Sequence, residues 1–407
     1  MKNKYAFSLL LAVMTMCACR KPYNPPAIAS PPSFLVVEGV ITGSDSTFIT
    51  LSRTVNLAAL STNNPELHAL VAVESNQQVT YPLTELGNGV YACGPLNLDN
   101  THQYRLTITT AGGQLFVSDY VSMLNAPPID SITFDTKGTL QGGPGMNLYV
   151  NTHDPTNTIK YYRWEYQETW IFNSQFASNY YSNGDTVLVR NSLTQNITSC
   201  WGSDSSSNIV LGSTAKLAKA VISQQPLTSV TSSSEKVSDE YSILVKQYAL
   251  TPDAYIFYQN MQKNTEQLGS IFDAQPSQIN GNLHCVTNPS QPVIGYVSIG
   301  AVTTQRIFVS NDVLPRWQTT PVPQGCVLAF DAANGGQACC YYQYVYPNGS
   351  VTNQVNDYIN YLIGRDLDPL IPIEAIGIGR PIGYTATTRA CADCTLRGTN
   401  IRPSFWK

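Results

Sequence analysis

The residues with the clearest chemical potential in this 407-residue sequence are its ten cysteines. Cys391 and Cys394 form a Cys-x-x-Cys pair, a spacing that suits a redox couple, part of a zinc site or structural disulfides. No helix is predicted after the pair, as a redox motif requires, and the adjacent Cys339 and Cys340 have the wrong spacing for zinc. We therefore predict structural disulfides, three of them in the C-terminal half. The candidates are Cys200, Cys285, Cys326, Cys339, Cys340, Cys391 and Cys394. Cys93 lies in a strand-like segment and is expected to be a small buried thiol.

Other groups that could perform catalysis are scattered along the chain. The sequence contains no metalloprotease, nucleophile-elbow, phosphate-loop or dinucleotide motif. His153-Asp154 could contribute to a metal site, but a turn stabilised by the aspartate at the end of a strand is favoured. Asp366 and Asp368 could contribute to a calcium site, although an exposed loop is the simpler interpretation. We therefore expect a protein that is not an enzyme, with no catalytic residues, no metal and no cofactor.

Aromatic side chains are the one enriched group with binding potential. Two strand-like segments each place three large rings on one face, because side chains alternate along a strand. Such stripes either fill the core of a sandwich or form a surface that stacks on sugars or anchors a partner. The candidates for a ligand or partner surface are Tyr162, Trp164, Tyr166, Tyr342, Tyr344 and Tyr346.

The elements that must position these residues are mostly β-strands. Residues 33–125 contain about seven short strands, which is the size and rhythm of an immunoglobulin-like β-sandwich. Asn88-Gly89 between two strand-like runs predicts a tight hairpin there. Residues 129–407 are predicted to form a larger β-rich domain with a cysteine-rich C-terminus. Its two helices are expected near 252–268, where Thr251 is a suitable N-cap, and near 355–363.

The N-terminal segment is typical of an exported lipoprotein. Residues 1–18 combine a basic start, a short apolar run and a small residue, Ala18, before Cys19. We predict that Cys19 is acylated and anchors the chain in a membrane; Cys17, which follows a methionine, and an ordinary secretory signal are the alternatives. Residues 19–32 are proline-rich and would form an extended tether of about 40 Å.

Composition agrees with a location outside the cytoplasm. The formal net charge of −4 argues against a nucleic-acid partner, which requires a basic face. Charged residues make up 12% of the chain, compared with about 25% in typical soluble domains, so much of the surface must be neutral and polar.

An ordered set of motifs resembles one family along nearly the whole chain after the signal segment. The motifs are Lys21-Pro22-Tyr23, Leu35-Val36-Val37-Glu38-Gly39, Tyr161-Tyr162-Arg163-Trp164-Glu165, Ile294-Gly295-Tyr296, Cys391-Ala392-Asp393-Cys394 and Pro403-Ser404-Phe405-Trp406. They are similar to those of Bacteroidota lipoproteins described as the domain-of-unknown-function 4249 family. The resemblance implies an outer-membrane lipoprotein that accompanies a TonB-dependent receptor, and it implies no catalytic residues.

These observations favour a non-enzymatic, lipid-anchored accessory or binding partner of an outer-membrane TonB-dependent receptor. A structural or adhesive envelope protein is the second interpretation, and a hydrolase is the third. Both facings of the anchor, periplasmic and surface, stay open because the residues after Cys19 lack the acidic cluster associated with surface export.

Overall fold

The computed structural model describes residues 33–43, 45–55, 64–266, 281–331, 337–338, 343–345, 348, 350–353, 362–374 and 381–406. The predicted signal peptide, Cys19 and the tether lie outside the described residues. The described chain is built mainly of β-strands, with few helices, which confirms the predicted fold class. No helix in these ranges combines the length and the apolar character that a membrane crossing requires.

The N-terminal segment, up to residue 125, contributes nine strands to a single large sheet. They are β1 (Leu35–Thr42), β2 (Thr47–Arg53), β3 (Leu70–Ser75), β4 (Thr80–Gly87), β5 (Val90–Cys93), β6 (Gln103–Thr109), β7 (Leu115–Ser118), β8 (Val121–Ser122) and β9 (Leu124–Asn125). Alternating burial gives each strand one apolar face. The predicted hairpin joins β4 to β5, where Asn88 and Gly89 both have positive φ angles, as a type I′ turn requires.

The next segment forms two sheets that pack face to face and one separate hairpin. Their strands are β10 (Ile129–Asp135), β11 (Gly145–His153), β12 (Tyr161–Asn173), β13 (Tyr180–Ser182), β14 (Val187–Val189), β15 (Ser199–Ser205), β16 (Val210–Ser213), β17 (Val221–Thr231) and β18 (Glu240–Leu250). Sheet β10-β11-β17 shares one buried apolar cluster with the sheet in which β12 pairs with β15, β16 and β18. Strands β13 and β14 form a separate hairpin.

A helix and four further strands join the N-terminal sheet to the β12–β18 sheet. They are α1 (Pro252–Glu266), β19 (Leu283–Cys285), β20 (Val293–Gly295), β21 (Ser298–Ala301) and β22 (Thr303–Ser310). The first three strands return to the N-terminal sheet, whereas β22 pairs with β18. The Thr251 side chain accepts a hydrogen bond from the Ala254 amide at 3.1 Å, so the predicted N-cap of the first helix is present.

The C-terminal segment consists of paired strands and a short helical end. The elements are β23 (Phe330–Asp331), β24 (Gln337–Ala338), β25 (Gln343–Val345), β26 (Val351–Asn353), β27 (Leu367–Glu374), β28 (Pro381–Thr388) and α2 (Arg389–Ala392). Short 3₁₀ turns occur at Glu235–Val237, Asn311–Val313 and Cys394–Leu396. The second predicted helix, at 355–363, lies almost wholly outside the described residues.

The predicted immunoglobulin-like sandwich at 33–125 is not confirmed. Its strands belong instead to a curled 12-stranded sheet with the order β19-β7-β6-β3-β4-β5-β2-β1-β21-β9, in which β20 also pairs with β1 and β8 with β6. Strands β20 and β21 run parallel to β1. Strand β19 therefore forms one edge of a sheet that begins near residue 35, and β20 and β21 pair with β1. Residues beyond the predicted boundary at 125–129 thus belong to the N-terminal sheet.

Candidate functional site

A groove separates β1 and β2 from the outer face of the β12–β18 sheet. Its main cavity has a volume of about 600 Å³ and is closed on one side by α1. A smaller cavity of about 220 Å³ shares Glu165, Ser206 and Lys246 with it and extends to Gln167 and Ser205. The two cavities are called the groove below. This volume lies in the range of small-molecule sites, ~300–1,000 Å³.

One wall of the groove is the outer face of β12 and β18. Because strand side chains alternate, Arg163, Glu165 and Gln167 point away from the core that buries their neighbours. On the paired strand, Tyr248 lies opposite Arg163 and Lys246 lies opposite Glu165. The sequence therefore builds this wall from every second residue of two adjacent strands.

The Arg163 guanidinium is held rigidly in this wall. Its central carbon lies 4.6 Å from the ring centroid of Tyr248 and 4.5 Å from that of Tyr258 on α1. Its Nη1 lies 2.8 Å from Glu165 Oε1. Within the described residues, the buried Nε has no hydrogen-bond partner. A stacked, ion-paired guanidinium of this kind is fixed in its orientation at the groove wall.

Glu165 completes the arrangement with both of its oxygens. While Oε1 faces Arg163, Oε2 accepts a hydrogen bond of 2.7 Å from the Tyr248 hydroxyl. Burial, followed by the charge of Glu165, raises the pKa of Tyr248 well above its ordinary value. Tyr248 therefore remains a protonated donor at physiological pH, and the three side chains form a fixed unit.

The opposite wall carries one exposed aromatic ring. Thr47 and Ile49 on β2 are fully buried, so alternation turns Phe48 outward, and its side chain is 53% exposed. Glu38 and Asp45, both exposed, lie on the same side of the groove. An exposed phenylalanine beside polar residues provides an apolar contact surface in a site whose other side chains can form hydrogen bonds.

Several contacts hold the two walls together. The Pro127 carbonyl accepts hydrogen bonds from Gln247 Nε2 at 2.7 Å and from Thr303 Oγ1 at 2.9 Å. On the other side, the rings of Phe257 on α1 and Tyr296 next to β20 lie 5.5 Å apart. The groove is therefore built into the junction of the two sheets.

The prediction that Tyr162, Trp164 and Tyr166 form a ligand or partner surface is wrong. Tyr162 and Trp164 are fully buried and Tyr166 is 8% exposed, all within the core between the two facing sheets. Trp164 Nε1 donates to Gln247 Oε1 at 2.8 Å, so the polar atom of this ring is satisfied inside the core. The three-stranded sheet covers this face. The exposed site lies on the alternate residues of the same strand.

Sequence reasoning missed Arg163, Glu165, Lys246, Tyr248 and Phe48. A signal was present in the alternation itself. Charged residues are scarce in this chain, and a strand that places Arg163 and Glu165 between large rings has one polar and one apolar face. For the second stripe, Tyr344 lies on β25, whereas Tyr342 and Tyr346 lie outside the described residues.

Four of the seven candidate cysteines form disulfides in the structure. Cys200 bonds Cys394, and Cys326 bonds Cys391, so the Cys-x-x-Cys pair joins two different partners. The prediction for Cys285 is wrong: it is a free thiol, because β19 carries it into the core of the N-terminal sheet. Cys93 is also free, and Cys339 and Cys340 lie outside the described residues.

The weaker metal candidates have structural partners. Asp154 accepts hydrogen bonds from the amides of Thr156, Thr158 and Ile159, which is the predicted turn. Asp368 lies 3.0 Å from a guanidinium nitrogen of Arg190. Among the described residues, no group of three potential metal ligands comes together.

Comparison with known proteins gives the chain its family. The family described as Domain of unknown function (DUF4249) matches residues 20–306. The protein belongs to this family. A comparison with curated proteins finds no match.

Two solved structures show a weak likeness. The native conformation of E. coli alpha-2-macroglobulin has 9% sequence identity and a TM-score of 0.17. The match covers 81% of this chain and 16% of the macroglobulin chain. The Yersinia pseudotuberculosis adhesin InvE has 12% sequence identity and a TM-score of 0.17. The match covers 88% of this chain and 96% of the adhesin chain.

Proposed function

We propose that the protein is a non-enzymatic, lipid-anchored cell-envelope protein that binds a ligand in the groove as an accessory of an outer-membrane TonB-dependent receptor. The observation that carries the binding role is the groove itself. It combines an exposed ring, Phe48, on one wall with a rigidly held guanidinium, Arg163, on the other. Concave sites with a few fixed polar groups are the usual form of ligand sites.

The engagement of Glu165, the carboxylate beside Arg163, favours binding over proton transfer. A general acid or base must be free to exchange a proton with a substrate. Both oxygens of Glu165 are instead engaged, one by Arg163 and the other by Tyr248. The carboxylate thus serves to fix the orientation of the guanidinium.

The anchoring part of the proposal concerns residues 1–32. Cys19, preceded by the signal-like segment and followed by the proline-rich stretch, is the residue that would carry the lipid. A tether of about 40 Å would keep the groove within reach of a receptor in the same membrane. The resemblance described above is the support for a TonB-dependent receptor as that partner.

The test is cross-linking in native cells with the full-length chain, followed by purification and mass spectrometry. The wild type should fractionate with the outer membrane and capture a TonB-dependent receptor. Cys19→Ser should leave an unprocessed or soluble protein that captures none. Cys17→Ser, which changes a residue of the predicted signal peptide, is the matched control and should behave as the wild type. Lipid labelling and outer-membrane attachment that survive Cys19→Ser, or capture without any such receptor, would overturn the proposal.

A further inference from the structure

We propose that the ligand of the groove is an uncharged oligosaccharide, an inference that rests on the groove being a ligand site. The groove is elongated. The two cavities share residues on the β12–β18 wall, so the site runs from Phe48 past Arg163 toward Gln167. An elongated site of this kind fits a short chain better than a single compact molecule.

The groove carries charged groups of both signs. The basic groups of the groove are Arg163 and Lys246, and the acidic groups are Glu38, Asp45 and Glu165. Arg163 is paired with Glu165, and Lys246 lies opposite Glu165 on the neighbouring strand. Glu38 and Asp45 would repel a strongly anionic ligand, and Lys246 and Arg163 would oppose a strongly cationic one. A neutral, polar ligand meets neither penalty.

Neutral hydrogen-bonding groups line one end of the groove. The β12 wall offers the side-chain amide of Gln167, and hydroxyl groups of Ser205 and Ser206 lie beside it. Donors and acceptors in close succession match the adjacent hydroxyls of a sugar ring. The exposed ring of Phe48 supplies a surface against which the apolar face of a sugar can stack.

The strand pairing in the groove walls favours sugars over extended peptides. Peptides in grooves between sheets commonly add a strand to an open edge. In the described part of the chain, β1 lies between β2 and the β20 and β21 strands, and β12 lies between β18 and the β15 and β16 strands. β18 lies between β12 and β22. These main walls therefore offer side chains rather than unpaired backbone, which favours a ligand recognised by its hydroxyl groups.

The test uses the intact lipoprotein in detergent, applied to an array of neutral oligosaccharides, uronic-acid oligosaccharides and peptides. The wild type should retain neutral oligosaccharides. Phe48→Ala should weaken this binding about tenfold or more, as loss of an interface anchor does. Arg163→Lys, which keeps the charge but loses the planar fork, should also weaken it. Leu70→Ala removes a side chain that is 76% exposed and lies outside the groove, so it should leave binding unchanged.

The outcomes separate this inference from the proposed function. Retention of peptides or of acidic sugars in place of neutral ones, lost in Phe48→Ala, would overturn the ligand class and leave the groove as a binding site. Neutral-sugar binding that survives Phe48→Ala, with the variant folded, would overturn the site. Receptor capture, measured on the same preparation, depends on neither result.

Discussion

The two faces of strand β12 differ by one residue in register and have opposite roles. Tyr162 and Trp164 face the three-stranded sheet and are fully buried, whereas Arg163 and Glu165, their neighbours in sequence, line an open groove. The rings that look suited to binding are therefore structural, and the charged pair between them faces the site. The difference teaches that residue type alone does not identify a binding surface, since the sheet that packs against a strand decides which face remains open.

The sharpest way to break this comparison is to truncate one aromatic side chain on each side. Trp164→Ala should lower the free energy of unfolding by about 3–5 kcal/mol, because it opens a cavity in the core. It also removes the donor that satisfies Gln247. Phe48→Ala, in the groove, should change stability by less than about 1 kcal/mol. Denaturant unfolding of both variants checks this, and equal losses would contradict the assignment of the two faces.

The two ends of the outer face of the β12–β18 sheet also differ. One end borders the groove, and the other is covered by C-terminal residues. The ring of Phe405 lies 3.6 Å from the guanidinium carbon of Arg306, and Trp406 packs against Phe308. The Cys200–Cys394 disulfide ties the same C-terminal segment to β15.

Cys394→Ser should therefore loosen this cover and cost about 2–4 kcal/mol, a typical value for one disulfide. The melting temperature with and without reductant measures the effect. Cys285→Ser is a control at a buried thiol outside the disulfides. Only the Cys394 variant should show a smaller response to reductant than the wild type, because the Cys326–Cys391 bond is its one remaining disulfide among the described residues. If the wild type melts at the same temperature in both conditions, the disulfide does not stabilise the cover.

The smallest expected effect concerns the turn that leads into β12. Burial alone would raise the pKa of Asp154, but hydrogen bonds from Ile159, Thr156 and Thr158 outweigh it and hold that pKa far below its ordinary value. The carboxylate therefore stabilises the fold fully above the unfolded pKa of about 4, and this contribution is lost as the pH falls through the lower, folded value.

Asp154→Ala should cost about 1–3 kcal/mol at neutral pH, because it leaves amide donors unsatisfied. The loss should shrink progressively as the pH falls below about 4, because the unfolded wild type then binds a proton that the folded carboxylate, with its much lower pKa, does not. Unfolding curves across pH 2–7 for the two proteins would measure this, and a constant difference over the whole range would argue against the carboxylate as the cause.

Local patterns in the sequence were sufficient for several parts of the fold. The alternation at 161–168 predicts the strand, Asn88-Gly89 predicts the hairpin, and Thr251 with Pro252 predicts the start of the first helix. The turn at Asp154 was also predictable. Each depends on interactions between residues that are close in sequence, such as caps, turn geometry and side-chain period.

Only the tertiary structure decided which face of β12 is buried, which cysteines pair and how the N-terminal sheet is completed. An alternating strand has two faces, and a core on either side is consistent with its period of two. Cys200 meets Cys394 across 194 residues, and residues 293–301 pair in parallel with β1. These contacts join segments that are distant in sequence, so no local pattern specifies them. The groove exists only because two sheets meet, so no local pattern shows that Glu38, Arg163 and Tyr296, which lie in three separate motifs, line one site.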